Sequence, residues 1–169
     1  MYQTNATQVI GIAVFLLVAL MCLRTYLVLV PHRPIWAILA FVIAGLTAEV
    51  IFGGRHQLTR VIGKTLKAVG FYDGRWGWQF ALLVGLLSLT IMVIWLVSPM
   101  LRNSQPMARL AAFLASTLML LFGIEAISLH SVDAILYNKV GPVLLIGWVW
   151  AGLGAAISIC AWSAGRSKV

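Results

Sequence analysis

The stretch QFALLVGLLSLTIMVIWLVSP, residues 79–99, carries no charged side chain and meets a proline only at its last position. Wound as an α-helix at 1.5 Å per residue it is roughly 30 Å long, the thickness of a bilayer's hydrocarbon core. No alternation of polar and apolar residues runs through it, so it does not read as a barrel strand. In lipid the backbone must satisfy its own hydrogen bonds within the segment, which leaves a helix as the span.

The rest of the 169-residue chain follows the same rule. It is 62% hydrophobic and only 9% charged, against roughly 25% charged in soluble domains. Too few charges are available to cover a water-facing surface, so the expected class is an all-α, polytopic membrane protein. Runs of apolar residues predict spans at 8–30, 34–53, 78–98, 108–129 and 142–164 within one domain, 1–169. Pro31, Pro34 and Pro99, and the pairs Gly53-Gly54 and Gly141-Pro142, mark the expected helix entries and exits. Trp36, Trp95 and Trp162 read as one interfacial aromatic belt and Trp76 and Trp78 as the other, with Trp148 and Trp150 deeper as packing residues. Cys22 and Cys160 fall within spans and are expected to be unbridged small hydrophobes. Asn5-Ala6-Thr7 fits a glycosylation triplet by spacing alone, and residues 1–8 do not read as a cleaved signal peptide.

Between the second and third spans, residues 55–69 change character. Leu58, Val61, Ile62, Leu66 and Val69 form one stripe at helical spacing, with Arg60, Lys64 and Lys67 opposite. An amphipathic helix lying in the membrane interface is expected there. Arg55, Arg60, Lys64 and Lys67 are its candidate contacts to anionic lipid or another anion. Asp73-Gly74 then turns the chain back into the bilayer.

An odd number of spans fixes which segments share a side. Face A denotes the end of the bundle holding residues 1–7, 54–77 and 130–141, and face B the end holding residues 31–33, 99–107 and 166–169. The chain has four acidic residues, Glu49, Asp73, Glu125 and Asp133, and all fall at face A with His56 and His130. Cations divide evenly, with Arg55, Arg60, Lys64, Lys67, Arg75 and Lys139 at face A and Arg24, Arg33, Arg102, Arg109, Arg166 and Lys168 at face B. The positive-inside rule is therefore tied. Short, arginine-bearing face-B loops and an uncharged N-terminal segment favour face B as cytoplasmic, which suits a bacterial inner membrane.

The polar chemistry gathers in GIEAISLHSVDAILY, residues 123–137. If the fourth helix runs on past 129, His130, Asp133 and Tyr137 lie within roughly 60° of one another. The candidate face-A cluster is Glu49, His56, Glu125, His130, Asp133 and Tyr137. Four readings stay open: a structural polar lock, a ligand or ion site, a metal or haem site, and a general-base site built on His130 and Asp133. For a metal, His130, Asp133 and Glu125 are the candidate ligands; a haem would need His56 and His130. No HExxH, CxxC or GxSxG pattern is present to favour the last two, so no cofactor is expected.

Small residues at spacing four mark candidate packing faces: Gly45 and Gly53 flanking Glu49, then Ala81 and Gly85, then Gly147 and Ala151. They predict a compact bundle and leave self-association open. The net charge of +8 is spread over two membrane faces, which argues against nucleic acid as a partner. The expectation is a small non-enzymatic membrane protein that binds a partner protein, lipid or small ligand at face A, as a subunit of a larger complex. The alternative is a metal- or proton-dependent membrane enzyme, or a small transporter, using the same acids.

Overall fold

The computed structural model describes residues 5–29, 33–53, 61, 65, 75–127 and 130–166. Among the described residues the elements with stated bounds are, in order, α1 (Ala6–Val28), α2 (Arg33–Phe52), α3 (Arg75–Arg102), α4 (Pro106–Ile127), α5 (His130–Leu136), the hairpin strands β1 (Lys139–Val140) and β2 (Val143–Leu144), and α6 (Leu145–Arg166). Five of the helices are long and apolar enough to cross a membrane. The chain is an all-α integral membrane protein. Of the expected interfacial helix at 55–69, only Val61 and Thr65 are described; both are helical, and the Thr65 hydroxyl donates to the Val61 carbonyl at 3.1 Å.

The helix ends depart from expectation where local hydrogen bonding overrides proline and glycine signals. Pro99 does not stop α3, which continues to Arg102. A proline lacks the N–H that would bond the carbonyl four residues back, here Trp95. The Ser98 hydroxyl donates to that carbonyl at 2.9 Å, so the last turn survives. Gly141-Pro142 is not the entry to the last span. It is the turn of a two-residue hairpin in which Lys139 pairs with Leu144 and Val140 with Val143. Gly141 takes φ 68°, as the first central position of such a tight turn requires. Asn5 caps α1, accepting from the Gln8 N–H at 2.9 Å. Its partner in the glycosylation triplet, Thr7, is buried.

The core is built by α1, α2, α4 and α6, with α1 packed along both α2 and α6 and α4 closing against α6. Along α4, Ala108, Ala111, Ala115, Leu118, Phe122 and Glu125 are buried. This alternation of three and four is the seam of a helix packed on one side. At the centre, Phe15 of α1, Phe122 of α4 and Trp150 of α6 meet. Phe122 and Trp150 stack with centroids 5.3 Å apart, and Phe15 lies 5.8 and 5.7 Å from them, tilted by about 50°. Such tilted and offset pairs add to the area they bury. Gly11 makes room for this group: a Cβ there would lie 2.8 Å from the Trp150 ring.

Tryptophan roles differ from the expected belts. Trp36 is 0% exposed and belongs to the core. Trp148 is 49% exposed and donates its indole N–H to the Val140 carbonyl at 3.0 Å, tying α6 to the hairpin. Trp150 is the packing residue. Trp95 is 72% exposed, as an interfacial residue would be. At face B the guanidinium groups of Arg24 and Arg166 each lie 4.7 Å from the Trp162 ring, a geometry favourable for cation–π attraction. Nearby, the Thr25 hydroxyl donates to the carbonyls of Met21, at 2.8 Å, and Ala161, at 3.0 Å, pinning α1 to α6. Cys22 and Cys160 are buried free thiols, as expected.

One span stands apart. No described side chain of α3 is buried, and the helix packs mainly along α4. Of the expected packing residues, Gly147 and Gly53 are buried, and Ala151 is half-buried. Ala81 is exposed, and a Cβ on Gly45 or Gly85 would meet nothing within 4 Å. The two glycines mark no close helix approach inside the described chain. The close approach occurs elsewhere, at Gly154, where an added Cβ would collide with Val14 Cγ1 of α1.

This contrast is testable by unfolding in detergent. Gly154→Ala is expected to destabilise the protein by about 1–3 kcal/mol through overpacking. Gly152→Ala, on the same helix but facing open space, is expected to be neutral or to stabilise by up to about 1 kcal/mol through helix propensity.

Candidate functional site

The face-A ends of the core helices are bound together by polar contacts at their tips. The Gln8 side chain donates to the Val50 carbonyl at 2.9 Å, joining the start of α1 to the end of α2. The Thr7 hydroxyl accepts from the Leu144 N–H at 3.0 Å, joining α1 to the hairpin. The Leu145 N–H donates to the Asn138 carbonyl at 2.9 Å, closing the loop between α5 and α6. Together α5 and the hairpin form a cap over the end of the bundle.

Beneath the cap lies Glu125, one turn beyond Phe122 and 5% exposed. It ends the buried seam of α4, so it faces neighbouring helices and not lipid. The Tyr137 hydroxyl, at the end of α5, donates to Glu125 Oε2 at 3.5 Å, a long contact for this bond type. Glu49, in the last turn of α2, and Asp133, in α5, are each half-buried. Oε1 of Glu125, Oε2 of Glu49 and Oδ1 of Asp133 are all shielded from solvent. Each described acid therefore turns an oxygen inward at the same end of the bundle.

The Glu125–Tyr137 contact does not fit the expected continuation of the fourth helix as one straight rod, which would carry residue 137 about 18 Å along the axis from residue 125. Residues 128 and 129, between α4 and α5, lie outside the described residues. Among the described residues, no three His, Cys, Asp or Glu side chains gather closely enough to hold a metal ion. The side chain of His130, and residues His56, Arg55, Arg60, Lys64, Lys67 and Asp73, lie outside the described residues. The structure thus joins Glu125 with Tyr137 and places Glu49 and Asp133 at the same end of the bundle.

Sequence reasoning missed Thr7, which fastens the cap to α1, and Gln8, which fastens α1 to α2. Their polar side chains in the first turn of an apolar helix were a legible signal. The partners distant in sequence were not. Compared with known proteins, the chain matches no family model, no curated sequence and no solved structure.

The site and the aromatic core beneath it should separate in their energetics. Trp150→Ala is expected to cost about 3–5 kcal/mol, as truncation of a buried ring does. Tyr137→Phe is expected to cost no more than about 1 kcal/mol, the net worth of a single hydrogen bond. Unfolding midpoints in one detergent, compared side by side, check the ratio.

Proposed function

We propose that this chain is a small, non-enzymatic integral membrane protein that binds a ligand or partner group at its face-A end, with Glu125 as the anchoring carboxyl group. The observation that carries this reading is the burial of Glu125 at the tip of the core seam, beneath a cap that is hydrogen-bonded to three different helices. A carboxyl group within a membrane bundle is expensive to keep, and one facing the bundle interior is by default a functional candidate. It favours a ligand presenting a positive charge or strong N–H donors, such as an amine or guanidinium group.

The cap supplies the means of access. It consists of a seven-residue helix and two two-residue strands, too short to be stable alone. It is held by individual hydrogen bonds through Thr7, Tyr137 and Asn138, each worth only about 1 kcal/mol net. Movement of the cap would open Glu125 without disturbing the Phe15–Phe122–Trp150 core. Most of the described residues lie in five apolar helices long enough to cross a membrane, which favours action within a membrane assembly, with face B in the cytoplasm.

A thermal-shift screen of purified protein against alkylamines, polyamines and guanidines tests the reading. At least one such cation is expected to raise the unfolding temperature of the wild type by several degrees; saturation at about 100 times Kd stabilises by about 2.7 kcal/mol. Glu125→Gln should lose the shift, while Arg24→Gln at the opposite face keeps it. Equal shifts in wild type and Glu125→Gln, or none in the wild type, contradict it.

A further inference from the structure

A groove runs down the side of the bundle from face B, between α2, α3 and α4. It encloses about 180 Å³ and its wall is apolar, with Ile38 and Val42 from α2, Ile94 and Val97 from α3, and Phe113 from α4. Among the described residues its one charged lining residue is Arg109. A second space of about 90 Å³ shares Val93, Ser116 and Met119 with the groove and continues it to Leu86. There α3 closes on α4, because a Cβ at Gly123 would lie 2.6 Å from the Leu86 side chain. The groove exists because α4 presents the small residues Ala112, Ala115 and Ser116 at this height. They leave α3 without a ridge to pack on.

Three observations define the occupant. Arg109 lies in the first turn of α4, at the level of the membrane interface, and its Nε donates to the Ser104 carbonyl at 3.2 Å. The guanidinium is thereby held at the mouth of the groove with its other nitrogens available for an anion. Among the described residues no carboxylate side chain competes for it, since Glu49, Glu125 and Asp133 all belong to the other end. Finally, the distance along α4 from Arg109 to Met119 is roughly 15 Å at 1.5 Å per residue. That is about half of the ~30 Å hydrocarbon core, the depth of one leaflet. A helix from a second copy or a partner would cross both leaflets and would be obstructed where Leu86 meets Gly123.

We infer that this groove is a binding site for one anionic phospholipid, with an acyl chain lying between α3 and α4 and the headgroup phosphate paired with Arg109. The site is separate from the face-A site in place and in chemistry. It differs also from the candidate cations Arg55, Arg60, Lys64 and Lys67, which the order of spans in the sequence assigns to face A. By filling the space between α3 and α4, the lipid completes the packing of the one span that the protein leaves without a buried side chain.

Native mass spectrometry of the delipidated protein in detergent, titrated with palmitoyl-oleoyl phosphatidylglycerol or phosphatidylcholine, tests the inference. The wild type is expected to bind the first phosphatidylglycerol about tenfold more tightly than phosphatidylcholine, the effect of one hydrogen-bonded charge pair near the interface. Arg109→Gln should bring the two lipids to equal affinity, and Arg109→Lys should keep part of the preference. Ala112→Phe, which fills the groove but leaves the cation, should weaken both lipids. Arg24→Gln, at the Trp162 cluster, should leave the preference intact. Equal affinities in the wild type, an undiminished preference in Arg109→Gln, or a dimer mass that displaces lipid from the wild type would each overturn the assignment. Arg109 is solvent-exposed, so its variants are expected to fold, and the wild-type comparison decides without them.

Discussion

The exclusion of unpaired backbone groups from lipid is the constraint on which this structure depends. It makes each apolar run a helix, and a helix must cross completely or not at all. Five crossings then constrain the ionisable residues, because each must lie near an end or face inward; a mid-span hydroxyl such as that of Thr117 is satisfied by the carbonyl one turn back. The gathering of the acids at one face follows from that parity. At the tips of helices, Gln8 and Thr25 fasten one helix to another through backbone carbonyls, and Thr7 fastens α1 to the hairpin through the Leu144 N–H.

Within the bilayer the hydrophobic effect cannot hold helices together, since lipid tails are as apolar as the side chains. Shape has to do so. The contact of Gly154 with Val14 and the fit of Gly11 under Trp150 bring α1 and α6 close enough for the stacked Phe122–Trp150 pair to form. Where shape complementarity is missing, along α3, the bundle opens. The same principle thus accounts for a tight core of α1, α2, α4 and α6 and for a groove beside them. Both candidate sites lie where that tight packing ends: one at the tip of the α4 seam, one along its side.

Much of this architecture was legible in the residues. Length and composition located all five spans to within a few residues, because an uninterrupted apolar run has one solution in lipid. The side assignment of Glu49, Glu125 and Asp133 followed from counting. Other features were hidden because they depend on partners distant in sequence. Trp36 reads as an interfacial residue by position, yet α2 turns it into the core. Pro99 reads as a stop, yet Ser98 supplies the missing donor. The small-residue faces at Gly45, Ala81 and Gly85 matched a packing pattern, but a pattern does not say which face a neighbour will choose. The hairpin at residues 139–144 and the return of Tyr137 over Glu125 were not legible either, since a two-residue strand leaves no periodicity to read.

Accessibility mapping in sealed vesicles reaches the central claim most directly. In a background with Cys22 and Cys160 replaced by alanine, single cysteines would be placed at Phe52, one turn from Glu49, at Asn138, in the cap, and at Asn103, in the turn between α3 and α4. A membrane-impermeant maleimide should label positions 52 and 138 from one side and position 103 from the other. Labelling of 52 and 138 from opposite sides would break the parity of the crossings, separate Glu49 from Glu125, and contradict the account.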